Sequence, residues 1–380
     1  MRSCRPRVNA ARAEERLPMS DHISEVRRRL LRSAVSTLAA TRLGLFGSSA
    51  SRLACTAFPL SHGSLPSLDK ATAWLNSPGL SSPGLLGKVV VVQFWTYTCI
   101  NWLRTLPYTR AWAEQYKRDG LVTVGVHSPE FEFEKHVENV RRAALSLNVG
   151  YPIAVDSDHA IWRAFNNQYW PALYIADAEG RIRHRQFGEG GYARSEAVIR
   201  ELLAEAGAKQ VDRPVGDITG PGVEAAADWS NLKSPESYLG ANRASTFASP
   251  DELILGERRR FTVPSRLRLN QWSLSGEWSV RGDAAVLHAS NGRIVYRFHA
   301  RDVHLVMGPV ARDKAVRFRV RIDGQSPGAA HGGDVDSDGN GVVVEPRMYQ
   351  LIRQATGISD RLFEIEFLDA GVEAFAFTFG

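Results

Sequence analysis

Two periodicities divide the chain. From Leu85 to about Gly207, short apolar runs alternate with stretches of helical spacing, the pattern of an α/β domain. Residues 89–95 are a continuous β-branched run, which predicts a strand buried on both faces. Residues 99–118 predict a helix that Pro107 should kink. A second strand follows over 121–126. An amphipathic helix is then predicted over 133–147, with Val137, Val140, Ala144 and Leu147 on the apolar face and Glu134, Glu138 and Arg141 on the polar one. A third strand (151–155), a short helix with an acidic cap (158–165), a hairpin of 172–175 and 182–187 turned at 177–180, and a closing helix (192–206) complete this segment.

Residues 209–250 are rich in Gly, Pro, Ser and Asn and lack periodicity, as expected of a linker or a wrapping segment. Beyond them the period becomes two. Val316, Phe318, Val320 and Ile322 alternate with arginines, Phe363, Ile365 and Phe367 alternate with glutamates, and Phe375, Phe377 and Phe379 continue the pattern. Such strands, separated by Gly, Asp and Asn turns, describe an all-β, jelly-roll-like sandwich. The expected organisation is a leader (1–55), an α/β domain (56–208), a linker (209–245) and a β-sandwich (246–380).

Composition refines this picture in one respect. The net charge of +6 suggests a nucleic acid or membrane-surface partner. Residues 1–55, however, hold eleven arginines and four acids, so they carry +7 and the other 325 residues carry −1. A nucleic-acid binder keeps its basic footprint on the folded domain, so that class is excluded. Arg27, Arg28 and Arg29, followed by a weakly apolar stretch, have the shape of a twin-arginine export signal; the alternative is a basic tail on a cytoplasmic protein. No run approaches the roughly 18 apolar residues of a spanning helix. With Cys4 and Cys55 in the leader, Cys99 is the one thiol of the mature chain.

The chemistry centres on Cys99. A cysteine opening a helix directly after a buried strand lies over unpaired backbone N–H groups and the positive end of the helix dipole, both of which favour a thiolate. The Trp170-Pro171 pair, opening a later strand, suits a cis peptide that leaves the Trp170 backbone as an edge for an extended substrate. In the strings FWTYTCINWLRTLPY, IWRAFNNQYWPALYIAD, GRIRHRQFGEG, SPESYLG and FEIEFLDAGVEAFAFTFG, the chain resembles the TlpA-like, redoxin branch of the thioredoxin superfamily. It is most similar to the soluble C-terminal part of DipZ-type cytochrome c biogenesis proteins. The resemblance implies a thioredoxin-like domain joined to a carbohydrate-binding-module-like sandwich. It also implies Cys99 as nucleophile, Pro171 as the cis-proline, Thr98, Ile100, Asn101 and Trp102 as the active-site loop, and thiol- or disulfide-bearing proteins or small thiols as partners.

The family pattern is broken at two positions. Trp102 stands where Cys-x-x-Cys places the resolving cysteine, and Gln93 where thioredoxins bury an acid. A mixed disulfide on Cys99 therefore has no internal thiol to resolve it. Three readings follow: a monothiol exchanger relying on an external thiol, a one-cysteine peroxidase suggested by Thr96-x-x-Cys99, or a small buried hydrophobe in a degenerate binding module. The aromatic residues Trp95, Tyr97, Trp102, Tyr169 and Trp170 fit either core packing or a recognition surface.

A second candidate lies in the sandwich. Asp334, Asp336, Asp338 and Glu345 fall at positions 1, 3, 5 and 12 of a loop with glycine at 6, the spacing of an EF-hand calcium loop, although strands flank it. Aspartate–glycine turns give the same pattern. Trp272 and Trp278 are candidates for glycan stacking, against core packing.

Overall fold

The computed structural model describes residues 64–380 except 210, 212, 217 and 356; the expected leader and export signal, with Cys4 and Cys55, lie outside the described residues. Among the described residues no helix is long and apolar enough to cross a membrane.

The first sheet has six strands: β1 (Ala73–Leu75), β2 (Val89–Trp95), β3 (Leu121–His127), β4 (Ile153–Val155), β5 (Ala172–Ala176) and β6 (Ile182–Phe187). Their order is β1-β4-β3-β2-β5-β6. Strands β2, β3 and β4 run parallel, and β1, β5 and β6 are antiparallel to their neighbours. The helices are α1 (Ser82–Leu85), α2 (Ile100–Gln115), α3 (Val137–Ser146), α4 (Ala160–Ala164) and α5 (Tyr192–Glu205).

Strand β2 is buried along its whole length, as its apolar run predicts. Its period of two divides two cores. Val89 and Val91 pack with Trp112 and Leu202 on the α2/α5 face. Val90, Val92 and Phe94 pack with Ile161 on the other. Gln93 shares the parity of Val91 and so faces α2.

Three details depart from the sequence expectations. Helix α2 runs unbroken through Pro107, which lies in its interior. The cap of α4 comes from Asp156, whose carboxylate accepts from the Ile161 and Trp162 N–H groups at 2.8 and 2.9 Å, while Asp158 makes only a 3.4 Å contact with the Ala160 N–H. Finally, residues 132–135 form a separate 3₁₀ turn ahead of α3. The helical phase that placed Glu134 in solvent does not extend to it, and Glu134 is fully buried.

The second domain is one eleven-stranded, curled sheet: β7 (Ser237–Tyr238), β8 (Arg258–Phe261), β9 (Trp272–Val280), β10 (Ala285–Leu287), β11 (Gly292–Phe298), β12 (Asp302–Pro309), β13 (Val316–Ile322), β14 (Asn340–Val343), β15 (Arg347–Arg353), β16 (Arg361–Phe367) and β17 (Val372–Phe379). Both halves of the sheet contribute to a single core, including Trp272, Tyr296, Phe318, Tyr349 and Phe377, as in a sandwich. Alternation is regular in β13 and β16. In β17 it is not. The register against β12 shifts between Ala376 and Ala374, leaving Phe375 as the extra residue of a bulge. Phe377 and Phe379 stay in the sandwich core, whereas Phe375 turns outward onto the first domain.

There Phe375 meets Phe131 and Phe133 at ring distances of 5.1 and 4.9 Å. The resulting cluster joins Trp95, Tyr97, Ile100, Trp102 and Leu103 with Val306, Met348 and Ala376. Part of the presumed linker belongs to this joint. Strand β7 pairs with β17, and the buried Arg104 of α2 binds Glu189 at 2.9 Å and the Phe379 carbonyl at 3.1 Å.

Candidate active site

The turn after β2 closes when the Cys99 N–H donates to the Thr96 carbonyl at 3.2 Å, leaving Cys99 as the N-cap of α2. The thiol of the partly buried Cys99 donates to the Trp170 carbonyl at 3.9 Å, and the Trp170–Pro171 peptide is cis. The fold thus brings Cys99, Trp170 and Pro171 together. Trp170 is held in place by its indole N–H, which donates to the Ser128 carbonyl at 3.0 Å, and by its ring against Trp162 at 4.3 Å.

The expected low-pKa thiolate is corrected by the electrostatics. Burial pushes the Cys99 thiol well above its ordinary range, and the carboxylates of Glu236 and Glu130 push it further. The N–H groups of Trp102 and Asn101 at the helix start do favour the thiolate, but desolvation outweighs them.

The two broken family positions meet each other. The indole N–H of Trp102, itself 0% exposed, donates to Gln93 Oε1 at 3.2 Å. Gln93 Nε2 donates to Thr105 Oγ1 at 2.9 Å, and Thr105 Oγ1 donates to the Trp102 carbonyl at 2.8 Å. Trp102 also stacks on Trp95 at 4.3 Å. An acid and a thiol are replaced by an amide and an indole that satisfy each other in a buried site. Trp95, Tyr97 and Trp102 are therefore core residues, and only Tyr169 and Trp170 of the aromatic set reach the surface.

Beneath the loop, Thr98 Oγ1 donates to Glu134 Oε1 at 2.6 Å, and Glu134 Oε2 accepts from the Glu130 and Phe131 N–H groups at 2.6 and 2.9 Å. Burial raises the Glu134 carboxyl to about 7, against those hydrogen bonds. Glu130 Oε1 in turn accepts from the Tyr238 hydroxyl at 2.6 Å and pairs with Arg243 at 2.8 Å, and the Arg243 guanidinium lies over the Tyr238 ring at 3.5 Å. Sequence reasoning missed this set. Glu134 was assigned to a solvent face, and Glu236, Tyr238 and Arg243 to a linker; the strand-like Ser237-Tyr238 inside an irregular stretch was the available signal.

The calcium spacing does not assemble a site. Asp334 binds Arg347 at 2.6 Å and the Gln350 N–H at 2.7 Å. Asp336 accepts from the Asn340 N–H at 2.7 Å, Asp338 is exposed, and Glu345 reaches Arg142 at 3.3 Å. Strand β14 begins within the loop and straightens it. Among the described residues no group of three or more His, Cys, Asp or Glu side chains could hold a metal ion. Of the two readings of Trp272 and Trp278, core packing holds: both are 0% exposed, and their indole N–H groups donate to the Ser245 and Ser275 carbonyls.

Two families match this chain: the AhpC/TSA family over residues 77–185 and the thioredoxin-like C-terminal domain over 234–380. Protein DipZ of Mycobacterium tuberculosis is 35% identical over 260 residues, 67% of this chain and 36% of its own. The chain therefore spans about a third of the length of that relative. The thiol-disulfide oxidoreductase YkuV of Bacillus subtilis is 34% identical over 142 residues, 37% of this chain and 95% of its own. A solution structure of a thioredoxin-like protein in its oxidised form is 33% identical, covering 38% of this chain and 97% of its own, with a TM-score of 0.35.

Proposed function

The chain belongs to the TlpA-like, redoxin branch of the thioredoxin superfamily, and we propose that it performs thiol–disulfide exchange through Cys99 alone, outside the cytoplasm. The observation that carries this reading is the approach of Cys99 Sγ to the Trp170 carbonyl beside Pro171, at 3.9 Å. An extended segment laid along the Trp170 backbone presents its disulfide to the sulfur. Cys99, deprotonated as the partner docks, attacks one partner sulfur; the partner's S–S bond breaks, a Cys99–partner disulfide forms, and the released thiolate takes up a proton. With Trp102 in place of a second cysteine, an external thiol completes the cycle by attacking that mixed disulfide. The arginine-rich leader supports export, and the likeness to DipZ supports a role in cytochrome c biogenesis or thiol homeostasis.

Incubation with oxidised glutathione, followed by peptide mapping to separate Cys99 from Cys4 and Cys55, is expected to give one glutathione adduct on Cys99 that an added thiol removes. Absence of that adduct overturns the reading. The raised thiol favours a second reading, a thioredoxin-fold binding module without turnover. Alkylation separates the two. The exchanger is expected to label at Cys99 with a rate still climbing above pH 9, whereas a sealed module does not label at any pH at which it stays folded.

A further inference from the structure

We propose that the cleft between α3 and the second domain binds an uncharged, largely apolar small molecule bearing a carbonyl, and that the Tyr97 hydroxyl donates to that carbonyl. The inference is independent of the exchange reading, because it requires no chemistry at Cys99. The cleft has a volume of about 750 Å³, within the range of pockets that enclose small ligands. Leu103 of α2, Leu147 at the end of α3, Val223 and Met348 of the second domain make its walls mostly apolar. Such walls favour the transfer of apolar ligand surface out of water.

Tyr97 supplies the polar anchor. It lines the cleft, is only 6% exposed, and its hydroxyl is buried without a hydrogen-bond partner. Its ring stacks on His127 at 5.6 Å, which fixes the direction of the hydroxyl. The nearby polar group of the lining, Asn139, is committed elsewhere. Its Nδ2 donates to the Phe133 carbonyl at 2.7 Å, and its Oδ1 accepts from Arg142 Nη2 at 2.6 Å. A buried donor left unpaired destabilises the fold, and an acceptor brought by a ligand removes that cost.

Charge selects the class of ligand further. Four charged side chains line the cleft, and they cancel. Arg142 pairs with Glu345 at 3.3 Å, and Arg347 pairs with Asp334 at 2.6 Å. An ionised ligand would lose its water there without gaining a counter-ion.

The test uses the full chain and prodan, an uncharged naphthyl ketone whose emission shifts to the blue in apolar surroundings. Saturable binding is expected, with a Kd on the order of 10 μM. Naphthalene, which lacks the carbonyl, and 2-naphthoate, which is anionic, are titrated as competitors. 2-Naphthoate is expected to bind at least about tenfold more weakly than prodan. In Tyr97→Phe the affinity for prodan is expected to fall about fivefold, while that for naphthalene stays within about twofold of the parent. This variant removes a hydroxyl that has no partner, so its thermal midpoint is expected to be no lower than the parent's. Ala143→Trp fills the cleft from a partly exposed position on α3. With an unchanged circular dichroism spectrum, it is expected to weaken prodan and naphthalene alike by more than about tenfold. Four results would each overturn the inference: no saturable prodan binding by the parent, binding undiminished in folded Ala143→Trp, 2-naphthoate as tight as prodan, or equal changes for prodan and naphthalene in Tyr97→Phe.

Discussion

Trp102→Cys, which restores the Cys-x-x-Cys spacing, is expected to lower stability by about 3–5 kcal/mol, the usual range for truncating a buried tryptophan. Trp102 is fully enclosed, so the lost indole leaves a cavity and strips Trp95 of its stacking partner. It also leaves Gln93 Oε1 with only the 3.5 Å contact from the Tyr151 hydroxyl, and an orphaned buried acceptor adds to the cost. The expected shift in thermal midpoint is on the order of 10 °C, measured in reductant so that a disulfide between the two thiols contributes nothing. Trp102→Phe keeps most of the volume and removes the N–H donor; its loss is expected to be about 1–2 kcal/mol. A Trp102→Cys variant within 1 kcal/mol of the parent would contradict the interlocked pair. Pairing Trp102→Cys with Gln93→Glu is expected to be non-additive, because each side chain is the other's partner.

Acidification from pH 7 to pH 4 is expected to remove about 3 kcal/mol of stability for each of two histidines. His127 and His304 are fully buried, and burial holds each down at about 3. An unfolded imidazole titrates near 6.5, so between these values the unfolded chain binds the proton and the native chain does not. The contribution is complete above about pH 6.5 and is lost as pH falls toward 3. Glu134 has the opposite sign. Raised to about 7, it is protonated in the native state where the unfolded carboxyl is ionised, so its contribution is complete below about pH 4.5 and is lost as pH rises through 7. Because Asp156 and Glu189 are also raised by burial and act in the sense of Glu134, the clean measurement is differential. Denaturant midpoints of His304→Leu against the parent, from pH 7 to 4, are expected to diverge by up to about 1.4 kcal/mol per pH unit. Parallel curves would refute the assignment.

The parts of the site that were readable from sequence depend on local rules. The β-branched run of β2, the cysteine at a strand–helix junction and Trp170-Pro171 each carry their own signature, and the fold brings them together as expected. What was not readable depends on long-range burial. Helix position alone suggests an acidic thiol at Cys99, but burial under residues distant in sequence raises it, and Glu236, 137 positions away, adds to the rise. Glu134 was misplaced because a 3₁₀ turn breaks the helical phase before Val137. The calcium spacing failed for a similar reason: donor spacing describes a loop only if the chain remains a loop, and here β14 begins inside it.

The bulge at Phe375 makes the union of the two domains a matter of counting rather than of composition. Deleting one residue there would leave the aromatic content of β17 nearly unchanged, yet would send every second side chain to the same side. Phe131 and Phe133 would lose the ring they pack on, and the cluster around Trp102 and Leu103 would open to water. A one-residue shift in register, silent in any profile of hydrophobicity, thus decides which of the two domains Phe375 packs on.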